Sequence, residues 1–121
     1  MKKIMIIEDD PDVIALLEEV FVLPAFTATF INTGEVALAK ITSVLPDLVI
    51  MDIMMPGMSG FEVCQKLKQN TLTKNIPVIA FTGYDSADNR RRMFAAGVDD
   101  YMAKPFDIPL MMSKVKELIG E

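Results

Sequence analysis

Hydrophobic residues along this 121-residue chain follow two periods that alternate from end to end. Short apolar, β-rich runs fall near residues 3–8, 27–31, 47–52, 76–81 and 98–103. Between them, amphipathic stretches with helical spacing fall near 11–23, 34–44, 60–69, 86–96 and 108–119. The purest runs, Ile4-Met5-Ile6-Ile7, Leu48-Val49-Ile50-Met51 and Val78-Ile79-Ala80-Phe81, contain no polar residue. A strand that shows neither face to water belongs inside a parallel sheet covered on both sides. Five strands alternating with five helices predict an α/β, doubly wound three-layer sandwich. No repeat, low-complexity tract or linker divides it, so residues 1–121 read as one domain.

Helix punctuation supports these boundaries. Asp10 is placed to cap the first helix, with Pro11 at the first helical position, where its missing N–H costs nothing. Pro24 is expected to stop that helix. Ser59-Gly60-Phe61-Glu62 matches a capping box opening the third helix. Asp85 is expected to cap the fourth, and Gly97 to end it in the left-handed conformation. Asp107 is expected to cap the fifth, with Phe106 stapled against Met111.

Composition narrows the function. Hydrophobic residues make up 51% and charged residues 24%, which argues for a packed globule. The net charge of −5 excludes a general nucleic-acid binder, which needs a positive field. The one cationic run, Arg90-Arg91-Arg92, reads as a solvated helix face first and a docking patch for an acidic partner second. With no histidine, imidazole ligands and histidine acid–base catalysis are excluded. Cys64 is the only cysteine, so there is neither a disulfide framework nor a thiolate metal site. Its helical spacing with Val63 and Leu67 marks it as a small core residue. The apolar stretch behind Met1-Lys2-Lys3 lasts four residues, too few for a signal peptide or a membrane span, so a cytoplasmic location is expected.

The chemistry gathers where the runs end. Glu8, Asp9 and Asp10 follow the first run, and Asp52 closes the third. Thr82 follows the fourth, and Lys104 closes the fifth, just before Pro105. Two unit charges 4 Å apart repel by about 4 kcal/mol at an effective dielectric near 20. Carboxylates brought together there need a cation, and oxygen donors suit a hard one.

Four segments together resemble the receiver domain of two-component response regulators, the chemotaxis-regulator-like superfamily. They are Ile6-Ile7-Glu8-Asp9-Asp10-Pro11, Met51-Asp52-Ile53-Met54-Met55-Pro56-Gly57-Met58-Ser59-Gly60, Phe81-Thr82-Gly83 and Asp99-Asp100-Tyr101-Met102-Ala103-Lys104-Pro105-Phe106. The resemblance covers the whole chain. It implies a flavodoxin-like fold with strand order 2-1-3-4-5, whose switch point lies between strands 1 and 3, where ligands bind in open parallel sheets. It further implies that Asp52 is the phosphoacceptor and forms an acyl phosphate. Asp9 is expected to be a direct Mg²⁺ ligand with Asp52 and the backbone carbonyl of Met54, while Glu8 acts through a metal-bound water. Asp10 is a helix cap or a minor acid. Lys104 would neutralise phosphoryl charge, and the Lys104–Pro105 bond is expected to be cis. Thr82 would be the switch hydroxyl, free to rotate until the acyl phosphate draws it inward, with Gly83 leaving room for the donor. Tyr101 would be the switch aromatic, moving into the space that Thr82 vacates. Met54 and Tyr84 occupy positions that bear on water access to the acyl phosphate, so self-dephosphorylation is expected to be slow.

The function implied is a phosphorylation switch. A sensor histidine kinase or phosphotransfer protein would supply the phosphoryl group. The output face of helix 4, strand 5 and helix 5, with Arg90, Arg91, Tyr101, Met102 and residues near Ile108, would engage an effector domain, a downstream protein or a second copy. No direct contact with nucleic acid or membrane is expected, and no activity beyond self-catalysed phosphotransfer and slow self-dephosphorylation. An aspartyl phosphohydrolase of the haloacid dehalogenase type would carry Asp-x-Asp, where this chain has Met54. A flavin-phosphate binder would need a Ser/Thr- or Gly-rich loop where Glu8-Asp9-Asp10 stands. A receiver-like interaction module that is never phosphorylated is the remaining alternative.

Overall fold

The structure is a computed structural model and describes residues 1–22 and 24–120. Five strands alternate with five helices: β1 (Lys2–Ile7), α1 (Pro11–Val20), β2 (Phe26–Ile31), α2 (Gly34–Val44), β3 (Leu48–Asp52), α3 (Gly60–Gln69), β4 (Val78–Thr82), α4 (Ala87–Ala96), β5 (Asp100–Ala103) and α5 (Ile108–Ile119). Every strand pair is parallel and the order is β2-β1-β3-β4-β5. The predicted doubly wound sandwich is therefore the observed one.

The period of two along each strand divides the core. Ile4, Ile6, Leu48, Ile50, Ile79, Phe81 and Met102 face the layer containing Leu17 of α1 and Met111 and Val115 of α5. Met5, Ile7, Val49, Met51, Val78, Ala80 and Tyr101 face α2, α3 and α4. β1, β3 and β4 are covered on both sides, which is why their sequences carry no polar alternation.

Most caps fall where expected. Asp10 Oδ1 accepts from Asp12 N–H at 2.9 Å, with Pro11 following at the first helical position. Ser59 Oγ accepts from Glu62 N–H at 3.4 Å, and Asp107 Oδ1 from Leu110 N–H at 3.0 Å. Gly97 ends α4 with φ +105°. Phe106 and Met111 share the α1/α5 cluster, and the Phe106 ring stands edge-on to Phe81 at 5.0 Å.

Two boundaries differ. Ser86, not Asp85, caps α4, accepting from Asn89 N–H at 3.0 Å, because the Asp85 carboxylate is taken by Arg90. The first helix ends at Val20 rather than residue 23, well before Pro24, and Leu23 lies outside the described residues. Phe21 turns into the core there and meets Phe26 edge-on at 5.2 Å, so burial of an aromatic pair ends the helix. No helix among the described residues is long and apolar enough to cross a membrane.

Candidate functional site

Parity explains which side chains meet. Glu8 continues the series Ile4, Ile6; Asp52 continues Leu48, Ile50; Lys104 continues Met102. All three therefore leave the sheet on its α1/α5 side, at the carboxyl ends of β1, β3 and β5. The ladder runs on just far enough to fix them. Glu8 N–H donates to Ile31 C=O at 2.9 Å, Ile53 N–H to Phe81 C=O at 3.0 Å and Lys104 N–H to Thr82 C=O at 2.8 Å. Pairing β1 with β3 at Ile7 and Met51 then brings acids 44 residues apart to one crevice.

Lys104 Nζ bridges the two buried carboxylates, 3.2 Å from Glu8 Oε2 and 3.4 Å from Asp52 Oδ2. It also lies 5.1 Å from the centroid of the Phe81 ring on β4, the strand between β3 and β5. Glu8 Oε1 accepts from the N–H groups of Asp9 and Asp10 at 2.9 and 3.0 Å, so both of its oxygens are engaged. Asp52 Oδ1 accepts from Met54 N–H at 3.1 Å. Burial pushes the Glu8 carboxyl up to about 7, and the Asp52 charge adds to this against the pull of the Asp10 N–H and of Lys104. Burial works against the Lys104 ammonium, but Asp52 and Glu8 outweigh it and its pKa lies above the ordinary value.

Glu8, Asp9 and Asp52 each bring a carboxylate oxygen within 4.8 Å of the other two. An all-oxygen set on an open sheet end fits a hard divalent cation that keeps some of its waters. Asp10 is not in this group, since its carboxylate caps α1. Of the two roles open to Asp10, the geometry gives the cap.

The remaining predicted residues stand around this centre. Thr82 closes β4 and is wholly buried, and its Oγ1 accepts from Tyr84 N–H at 3.0 Å. In this arrangement one lone pair of the hydroxyl is engaged by the loop, and its proton is left to be given. A Cβ on Gly83 would meet nothing within 4 Å, so the way past it is open. Met54 and Tyr84 are 53% and 72% exposed, so neither belongs to the core. The Lys104–Pro105 peptide is cis, as expected.

On the α4–β5–α5 side the outcome is mixed. Arg90 and Arg91 are exposed, yet each is paired. Arg90 binds Asp85 through Nε and Nη2 at 2.8 and 2.6 Å, and Arg91 Nη2 lies 2.7 Å from Asp88. The Arg92 guanidinium covers the Phe61 ring at 3.9 Å. The arginine run is thus a solvated helix face, as expected, whose cations are paired with carboxylates or laid over Phe61. Met102 is buried on the α1/α5 side and cannot belong to an exposed output face, because β5 alternates and Tyr101 takes the α4 side. Tyr101 is only 8% exposed, under the Arg90 guanidinium, and its buried hydroxyl has no hydrogen-bond partner. Burial and the Asp85 charge raise its pKa. Sequence reasoning missed the Asp85–Arg90 pair, although its spacing of five residues across a helix start was a usable signal.

Residues 4–116 match the family model of the response regulator receiver domain. The chain belongs to that family. The receiver domain is 36% identical over 119 residues to the phosphate regulon transcriptional regulatory protein PhoB of Rhizobium meliloti, covering 98% of this chain and 52% of that protein. It is 34% identical over 116 residues to the response regulator PleD of Caulobacter vibrioides, covering 96% of this chain and 26% of that one. This receiver domain therefore spans about half or less of the curated relatives it matches. Among solved structures, a response regulator receiver domain protein from Methanospirillum hungatei superposes with a TM-score of 0.91 at 28% identity, over 99% of this chain and 94% of that one. The receiver domain of a sensor histidine kinase from Pseudomonas aeruginosa, with magnesium coordinated in its active-site cleft, has a TM-score of 0.90 over 99% and 98% of the two chains. At 23% identity that likeness speaks for the fold alone.

Proposed function

We propose that residues 1–121 act as one receiver unit in which Asp52 accepts a phosphoryl group from a phosphohistidine on a sensor histidine kinase or phosphotransfer protein. A carboxylate oxygen of Asp52 attacks phosphorus as the P–N bond breaks, and the imidazole leaves with that electron pair. Asp9, Asp52 and the Met54 carbonyl would hold Mg²⁺, with Glu8, both of whose oxygens are engaged, reaching it through water. When bound, the ion neutralises oxygens that carry charge as phosphorus is transferred. Lys104 moves its ammonium from the Asp52 carboxylate onto a phosphoryl oxygen, and the free Thr82 proton gives that group a second donor. Drawing Thr82 towards Asp52 pulls on Tyr84 N–H and so on the loop that leads to Asp85 and Arg90, the cover of Tyr101. That couples the site to α4 and β5, where an effector domain, a downstream protein or a second copy would read the change. The unit would turn over no substrate beyond its own acyl phosphate, and would work in the cytoplasm.

The single observation that carries this reading is Lys104 Nζ set between Glu8 and Asp52 at 3.2 and 3.4 Å, beside an exposed third carboxylate. The experiment is labelling with acetyl phosphate or phosphoramidate. We expect one phosphoryl group per chain, requiring Mg²⁺ and absent in Asp52→Asn. Continuous turnover of the donor, or labelling that survives Asp52→Asn, refutes it.

A further inference from the structure

Residues 54–58, the loop by which the chain leaves Asp52, are held by little. At one end Met54 N–H turns back to Asp52 Oδ1. Among the described residues, the one hydrogen bond tying 54–58 to another helix runs from Met58 N–H to Glu35 Oε1, at 2.8 Å. Glu35 lies in the first turn of α2, 23 residues earlier in the chain. The fit around it is close. Gly57 has φ +74°, and a Cβ there would come within 2.9 Å of the same Glu35 oxygen. The loop thus folds onto the Glu35 side chain at a point where no side chain of its own intervenes.

We propose that Glu35 is a positioning residue for the Asp52 site: it anchors residues 54–58 so that Met54 keeps its N–H on Asp52 and its carbonyl turned to the metal. This rests on the metal reading given under Proposed function. Without the anchor, the loop populates arrangements in which Met54 is misaligned, and apparent Mg²⁺ affinity falls by the fraction that stays competent. A hydrogen bond of ordinary net strength corresponds to about a five-fold change.

Glu35 has two competing roles. Its charge sits favourably at the N-terminus of α2, where Thr33 is the cap. The same charge also adds to the negative field that draws a cation. Glu35→Gln separates these from the anchor, because the amide oxygen still accepts from Met58 while the charge is gone. Glu35→Ala removes both, and since Glu35 is exposed neither change opens the core. Mg²⁺ dissociation constants are measured by calorimetry on wild type and both variants, and amide hydrogen exchange at Met58 is followed in EDTA. We expect Glu35→Ala to bind Mg²⁺ about five-fold more weakly and to lose protection at Met58, with Glu35→Gln close to wild type in both. Equal weakening in the two variants means a field effect and overturns the proposal. So does wild-type affinity in Glu35→Ala. A wild type that binds no Mg²⁺ sinks the metal reading itself and this proposal with it, a result that the variants alone cannot produce.

Discussion

Replacing Lys104 with methionine removes a cation while keeping most of the side-chain volume, so it tests what holds Glu8 and Asp52 together. Each of the two contacts, at 3.2 and 3.4 Å, is worth about 5 kcal/mol of Coulomb energy at an effective dielectric near 20. Desolvation offsets much of that, and breaking a buried pair by removing one partner costs about 3–5 kcal/mol in practice. The Lys104 side chain is 22% exposed against 0% and 7% for its partners, so water softens the loss at the ammonium end only. We therefore expect about 2–4 kcal/mol in EDTA near pH 8. Unfolding entropy of about 2.1 cal/mol/K per residue converts this to a fall in Tm of roughly 8–16 °C.

The sign of the pH dependence follows from Glu8. Its carboxyl already lies at about 7, above its ordinary 4.5, and losing Lys104 pushes it further up. A carboxyl raised in the folded state costs stability above its folded pKa and recovers it as pH falls towards the unfolded value. The deficit of Lys104→Met should accordingly shrink by about half or more between about pH 8 and about pH 5.5. Magnesium should restore most of it at pH 8, since a divalent ion replaces the missing charge. Thermal melts by circular dichroism measure all three effects. Lys114→Met is the control: its ammonium is as exposed as that of Lys104, but its partner Asp100 is 27% exposed against 0% and 7%, and its loss should stay within about 1 kcal/mol. A Lys104→Met protein that melts no lower than the Lys114→Met control in EDTA refutes the reasoning.

Three further outcomes follow from the same geometry. Gly60→Ala places a Cβ 2.7 Å from Ile53 Cα and 2.8 Å from the Asp52 carbonyl, both backbone atoms that cannot turn aside. We expect a loss of about 1–3 kcal/mol by urea denaturation together with slower phosphoryl labelling, and an unchanged urea midpoint argues against it. Met54→Asn and Tyr84→Glu, both at exposed positions, should leave stability within about 0.5 kcal/mol and shorten the lifetime of the acyl phosphate. If neither variant accelerates dephosphorylation, the two side chains do not shield the site. Cys64 is buried and its thiol is pushed up to about 11, so iodoacetamide near pH 8 should leave it unmodified until urea unfolds the chain; mass spectrometry decides.

The parts of this fold legible in the sequence are those fixed by neighbours along the chain. Strand and helix ranges came through because three runs with no polar residue can only lie inside a covered parallel sheet. Asp10, Ser59 and Asp107 were legible as caps because an N-cap bond spans only two or three residues. Asp85 was misassigned because Arg90, five residues on, competes for its carboxylate with two charge-assisted bonds that a helix N–H cannot match. Met102 was placed on the output face although simple alternation from Tyr101 would have sent it to the other side. The Glu35–Met58 bond left no mark in the sequence, because a contact 23 residues apart depends on where α2 and the loop happen to meet.

Period two also explains why the site holds two groups of residues and not one. Glu8, Asp52 and Lys104 continue the even series towards α1 and α5, whereas Thr82 continues Val78 and Ala80 towards α4, the side that Tyr101 also takes. These charges are thus gathered on one side of the sheet end, and the Thr82 hydroxyl stands at the border with the other. Fully ionised, the three carboxylates and Lys104 sum to −2, a charge one divalent ion cancels. Without that ion, a proton on Glu8 is the compensation nearest to hand, which is what a pKa of about 7 expresses. Converting Asp52 to an acyl phosphate adds roughly one more negative charge. Under the proposed function, Lys104 shifting onto the phosphoryl group and the Thr82 proton turning inward would meet that new charge alongside the metal ion. The second response would cross from the α5 side of the sheet to the α4 side, and so would carry a charge change at Asp52 to helix α4.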